Sequence, residues 1–470
     1  MAKPLLFLLS LCVLLLMVSD CLALRRHRNR LQGRQRPQLE ECQLDKLEAL
    51  EPDYRIESEG GVTESWNHDH KLLRCAGVTL IRRTIKPKGL VLPSYTNAPQ
   101  MLYFVRGNRK NINNLMNLRL QTLILYVFCK CIGRAIQGMT IFPSCPESFE
   151  EPGREQHQKV HEVGAGDIIA IPAGIGYWFY NDGNTPLIVV ILLDTSNGAN
   201  QLDRNPRRFY LAGNPEDEHG HVQGREGSGR NVLSGIDENL LAEIYGVRLE
   251  TVRKIRGADD PRKNIVIVEE GMDVVRPEAA GHGENGLEET ICTLRVRENV
   301  GSPARADIYT PHAGRIATLN SVKLPILADL QLSAERGVLY KDGVYVPHWN
   351  LNSHSVVYVT GGRGRVQVVD NKGKSVFERE VEEGQVVVIP QSFVVVKHAT
   401  GEQGFEWIAF KTAENAMINP LVGRDSAIGV LPLDVIMNMY QVSREEAQRI
   451  KEARDHTFLF SLPSQYQIWA

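Results

Sequence analysis

The sequence is written twice, and that repetition governs what it can become. The stretch "GAGDIIAIPAGIGYWFYNDGNTPLIVVILLD" from Gly164 matches "EEGQVVVIPQSFVVVKHATGEQGFEWIAFKT" from Glu382 part for part. Each has a Gly, a run of β-branched residues, a Pro, a second strand, a turn and a third strand. Gly166 and Pro172 lie 218 positions before Gly384 and Pro390. Upstream, "GLVLPSYTNAPQMLYFVRG" from Gly89 aligns with "GVYVPHWNLNSHSVVYVTGG" from Gly343. Downstream, "NLLAEIYGVRLETVRKI" from Asn239 aligns with "DVIMNMYQVSREEAQRI" from Asp434, Tyr245 and Val247 matching Tyr440 and Val442. Self-similarity in three successive blocks means one structural unit used twice.

Within each copy the strands come first and the helices last. The strands are short, rich in Val and Ile, and punctuated by Gly, Pro and tight-turn residues, which suits antiparallel barrels. The trailing segments carry apolar residues at helical spacing, Leu240, Leu241, Ile244 and Val247, then Val252 and Ile255. Such stripes read as docking faces between barrels or between subunits. The predicted fold is therefore mainly β: two antiparallel jelly-roll barrels, each followed by a small α-helical extension. Residues 24–256 form the first unit and 286–470 the second. The polar, Gly-rich stretch 257–285 between them reads as a flexible linker, and its Asn285-Gly286 dipeptide as an exposed place for proteolysis.

Charge excludes some partners. The formal net charge of the 470-residue chain is -2, so neither nucleic acid nor an anionic membrane is demanded. Residues 1–23, with Lys3, the run "LLFLLSLCVLLLMV" and the small-residue site ending at Ala23, read as a secretory signal peptide. Its removal takes Cys12 and Cys21 and leaves Cys42, Cys75, Cys129, Cys131, Cys145 and Cys292 in a disulfide-permissive compartment. Cys129 and Cys131 sit in an anomalous segment considered below. The other four permit two bridges in three connectivities.

Duplicated jelly rolls of this pattern resemble cupins, whose enzymes hold a metal with two His and a Glu on one strand and a third His on a later strand. In the first copy those positions read Tyr95, Asn97, a site near Gln100, and Tyr177. In the second they read His348, Asn350, His354 and Val395. These degenerate sets imply no metal, no cofactor and no catalytic residue; His398 does not restore the set, because an odd shift along a strand turns a side chain to the other face.

The motifs "NGLEETICTLRVREN" from Asn285 and "GMTIFPSCPESFEE" from Gly138 carry a more specific resemblance, to legumin-type (11S) seed storage globulin precursors. The resemblance implies cleavage after Asn285 by an asparaginyl endopeptidase, giving an acidic chain and a basic chain beginning at Gly286. It also implies a Cys42–Cys75 bridge within the acidic chain and a Cys145–Cys292 bridge across the cut. Assembly would proceed from precursor trimers to homo- or hetero-hexamers with other 11S subunits, in the protein storage vacuole of the seed. An active cupin oxidase and a vicilin-like small-ligand binder are the competing readings, one lacking its ligands and the other unable to account for the processing motif.

One passage breaks the repeat. After Gly107 the second copy predicts an immediate next strand, as in "GGRGRVQVVD" from Gly361. Here the equivalent "RAIQGMTIF" starts only at Arg134, so residues 108–133 interrupt the pattern. Their Asn-rich start and apolar run of about ten residues are too short to span a bilayer. The segment reads as a retained intron, with a genuine surface excursion as the alternative.

Overall fold

Runs of β-branched residues bounded by Gly and Pro become strands, and the computed structural model arranges them as two barrels. It describes residue 42 and residues 44–105, 135–140, 159–218, 230–272, 295–453 and 458–462. The signal peptide, the segment 108–133, Cys129, Cys131, Cys145, Cys292 and the Asn285-Gly286 dipeptide lie outside the described residues. Among the described residues, no helix is long and apolar enough to cross a membrane.

Each barrel closes from two antiparallel sheets. In the first, one sheet orders Tyr54–Ser58, Gly61–Ser65, Val78–Ile85, Leu187–Asp194, Gln100–Val105 and Asp167–Ile171 side by side. The opposing sheet is built around Gly89–Thr96 and Gly176–Tyr180. The second barrel repeats the plan, with Gly343–Asn350 and Val394–Ala399 in the equivalent central places. Alternation along these strands drives one face inward. Among the described residues a large apolar core runs from Leu72, Phe104 and Ile191 in one barrel to Val357, Phe405 and Phe410 in the other, and Leu92, Tyr210 and Val266 form a smaller cluster.

Two strands are traded between the copies. Ala49–Leu50, at the start of the first copy, pairs with Val386 and Val387 of the second barrel. Arg297–Asn299, at the start of the second, pairs with Asp167–Ile169 of the first. Each covers the same edge of the other's barrel, an edge that would otherwise expose unpaired backbone groups. Trp66 reinforces the junction, donating through Nε1 to Leu50 O at 3.1 Å and meeting Tyr358 edge-on at 6.2 Å.

The helical extensions fall where the apolar spacing places them. Glu238–Tyr245 starts at Asp237, whose carboxylate accepts from the backbone N–H groups of Asn239 and Leu240. It ends at Gly246 in the left-handed region, and Leu249–Arg256 follows. The second copy has Leu433–Tyr440 and Arg444–Lys451, the latter opened by a Ser443/Glu446 capping box. Both copies then return to the barrel through a three-residue strand, Ile265–Ile267 or Leu459–Ser461. The expected linker 257–285 therefore begins with ordered structure. An isolated Ile-Val-Ile in polar surroundings is too short to carry a period, which is why sequence pattern misses it.

Candidate functional site

The functional question lies inside the barrels, at the positions where a metal cupin carries its ligands. The strand register identifies them. Tyr177 stands opposite Ser94 in the first barrel, as Val395 stands opposite His348 in the second. Ser94 and Thr96 are buried and inward, so they, and not Tyr95 and Asn97, correspond to His348 and Asn350. The assignment to Tyr95 and Asn97 is one residue out of register, and a one-residue slip moves every side chain to the opposite face. Tyr95 instead stacks on Phe209 at 4.9 Å, and Asn97 ties down a loop, donating to Asn205 O at 3.0 Å and accepting from Arg207 N at 2.9 Å.

A guanidinium occupies this interior. Arg208 donates to the Tyr177 hydroxyl at 2.7 Å, to Ser94 Oγ at 3.1 Å and to Gln100 Oε1 at 3.2 Å. Tyr177 also donates to Gln100 Oε1 at 2.8 Å, and Gln100 passes the chain on to Thr96 Oγ1 at 2.7 Å. Behind it, the buried carboxylate of Glu218 pairs with Arg208 Nε at 2.8 Å and with Arg83, and accepts from the Tyr210 hydroxyl. Burial opposes the charge on Arg208, but Tyr177, Glu218 and Tyr210 hold its pKa above the ordinary arginine value.

The second barrel reaches the same result with lysines. Glu335, Lys397 and Lys411 are all buried and inward. Glu335 accepts from Trp407 Nε1 at 3.1 Å and lies 3.6 Å from Lys411 Nζ, which donates to Asn350 Oδ1 at 2.8 Å. Lys397 Nζ lies over the rings of both Tyr345 and Trp407, 5.0 and 4.9 Å from their centroids, where the ring quadrupoles favour a cation. His348 stacks on Tyr345 at 4.1 Å, and its Nδ1 donates to Val346 O at 2.7 Å, leaving Nε2 as an acceptor. Burial, with Lys397 next in effect, pushes the His348 pKa down to about 3, so the ring is neutral. His354 sits near the barrel mouth, its Nδ1 accepting from Gln391 N at 3.3 Å, and Val395 is buried carbon.

The donor set does not fit a divalent metal. Of the described second-barrel positions, His348 offers a buried ring nitrogen, Asn350 is engaged by an ammonium group, His354 already accepts from Gln391 N through Nδ1, and the nearest carboxylate already answers two lysines. A cation in either barrel would meet an Arg or a Lys at close range, which costs rather than gains energy in a buried, low-dielectric interior. Among the described residues, no group of three or more His, Cys, Asp or Glu is placed to hold a metal. Sequence reasoning passes over Arg208, Lys397 and Lys411, yet one signal was available: Lys397 is two residues beyond Val395 and so shares its inward face.

Comparison with known proteins gives the interiors their setting. A family model described as Cupin matches residues 47–217 and 298–448, one stretch in each barrel. The 11S globulin of Juglans nigra is 46% identical, over 99% of this chain and 98% of its own. An "11S globulin seed storage protein 1" of Carya illinoinensis is also 46% identical, over 98% and 97%. The solved recombinant pro-11S globulin of pumpkin superposes with a TM-score of 0.77 at 43% identity, covering 89% of this chain and 99% of that one. Identity of this extent, two cupin barrels and interiors closed by buried cations have one consequence: the chain belongs to the 11S globulins, non-catalytic seed storage proteins of the cupin family.

Proposed function

We propose that the chain is laid down as a seed reserve in a processed, oligomeric form. It enters the secretory pathway through residues 1–23 and reaches the protein storage vacuole. There an asparaginyl endopeptidase cuts after Asn285, and the acidic and basic products stay joined by a Cys145–Cys292 disulfide. The observation that carries this reading is the near full-length identity to 11S globulins together with the Asn285-Gly286 motif; the solved pumpkin relative is itself a pro-form. The helical extensions support assembly, as trimers of the precursor and then as hexamers with identical or other 11S subunits. Leu241 and Val252 dock inward, whereas Leu240, Ile244 and Tyr245 in one copy and Val435, Met439 and Tyr440 in the other remain exposed. Two apolar faces related by the repeat suit neighbouring subunits in a ring.

Electrophoresis of the protein from mature seed, with and without reductant, tests the reading. One species should resolve into two chains on reduction, the smaller beginning at Gly286 by N-terminal sequencing. A single uncut chain under reducing conditions would refute the processing scheme.

A further inference from the structure

The second barrel holds two ammonium groups against one carboxylate. Lys397, Lys411 and Glu335 are each almost fully buried, and the neighbouring imidazole of His348 is neutral. One positive charge is thus left over in a buried interior, where an uncompensated ion is expensive. Hydrogen-bond capacity is also left over beside it. Asn350 gives its carbonyl oxygen to Lys411 at 2.8 Å, while its Nδ2 group, completely buried, has no hydrogen-bond partner among the described residues. Ser355 Oγ is likewise buried without one, and the register sets Ser355 directly opposite Lys411, on the same face of the sheet. Excess positive charge and orphaned donors call for the same thing, a negative charge that accepts hydrogen bonds.

We propose that the interior of the second barrel is a binding site for one small monovalent anion, a halide or a short carboxylate, held by Lys411, Asn350 Nδ2 and Ser355 Oγ. The ion neutralises the surplus left by Lys397 and Lys411, so binding stabilises the folded chain by mass action. The first barrel does not share the vacancy for an acceptor, because its Arg208 already spends its donors on Tyr177, Ser94, Gln100 and Glu218.

Bromide is the probe. Crystals of the full chain soaked in sodium bromide should show an anomalous peak within hydrogen-bond reach of Lys411 Nζ and Asn350 Nδ2. In parallel, thermal unfolding in gluconate buffer is followed as bromide or acetate is added in separate arms at constant ionic strength; the arm that raises Tm identifies a halide or a carboxylate. Asn350→Asp supplies the missing negative charge from within while keeping the side chain's size. It should raise Tm in gluconate alone and abolish both the Tm response and the anomalous peak. Lys411→Met, which removes the surplus charge, should abolish the peak as well. The proposal is overturned if bromide marks surface sites but not this one and neither anion moves Tm, or if Asn350→Asp responds to the anions as the unaltered chain does.

Discussion

At the scale of single residues, the barrel interiors trade metal ligands for cations, and the second barrel makes that trade measurable. Among the described residues, Glu335 is the carboxylate that faces both Lys397 and Lys411. Replacing it, Glu335→Gln, leaves two buried ammonium groups unanswered and should cost about 3–5 kcal/mol, read as a large fall in Tm. Burial opposes its charge, but Lys411 and then Lys397 draw its pKa down to about 2 from 4.5. Its stabilising contribution is therefore present above the ordinary value and is lost as pH falls through 4.5 toward 2. His348 acts in the same sense, because the unfolded ring takes a proton near 6.5 and the folded one only near 3. Lys397 has the opposite window. Burial lowers its pKa from 10.5 to about 8, against the pull of Glu335 and with the push of Lys411. Between those values the unfolded chain holds the extra proton, so stability rises with pH. The Tm of the unaltered chain relative to Lys397→Met should climb from pH 8 to 10.5; a flat difference would mean the lysine is not buried as a cation.

At the scale of elements, the strand Ser355–Val369 explains how two sheets share one barrel. Its first part pairs with Phe405–Lys411 and Val386–Ile389, and its second with Val394–Ala399 and Ser375–Glu382. The chain turns between the sheets at Gly362, with φ of 73°, where a Cβ would lie 2.0 Å from Gly404 O. Nearby Gly337 faces the Trp407 ring, a Cβ there falling 2.0 Å from Cζ2. Gly337→Ala should thus cost about 1–3 kcal/mol through overpacking, and a Tm equal to that of the unaltered chain would contradict it. In the first barrel the same task is divided. Gln100–Val105 makes the pairings of the first part and Ala135–Thr140 those of the second. Two strands with the partners of one continuous strand are what removal of residues 108–133 would join. A chain lacking 108–133 should fold with an unchanged or higher Tm, since loop closure across them contributes only entropy cost. Failure of that deletion to fold would make the segment part of the barrel.

At the scale of the whole molecule, the traded edge strands tie the copies together without covalent help. Arg82 in the first copy links Glu64 at 2.8 Å to the Tyr358 hydroxyl of the second at 3.3 Å, and Asn197 Nδ2 donates to Leu330 O at 2.8 Å. A cut between residues 272 and 295 leaves all of these contacts in place. Cys292→Ser, processed to two chains, should therefore still elute as a single species on native size exclusion, separating only in denaturant. Early separation into free acidic and basic chains would show that the disulfide, not the exchanged strands, holds the halves. The bridge between Cys42 and Cys75, with Cα atoms 5.3 Å apart, plays a different part: it pins the start of the first copy to the short helix Lys71–Ala76.

Read alone, the residue order settles the architecture, because a repeat carries its own control: strand runs, turns and helical stripes recur at matching places, and agreement between copies filters out chance. It also yields the storage-globulin resemblance, since a motif such as "NGLEETIC" is local and survives without coordinates. The barrel interiors were legible only in part. His348, Asn350 and Val395 are buried in the second barrel, whereas the sequence pattern puts Tyr95 and Asn97 on the wrong face, because side-chain direction in a strand depends on a register that a single residue can invert. Arg208, Lys397 and Lys411 come from separate strands and a buried charge has no period, so only folding reveals that they converge. The exchange of edge strands was hidden for the same reason. Pairing between Ala49 and Val387, or Arg297 and Ile169, is a long-range contact between short segments, and its stabilisation exists only once both barrels present their edges.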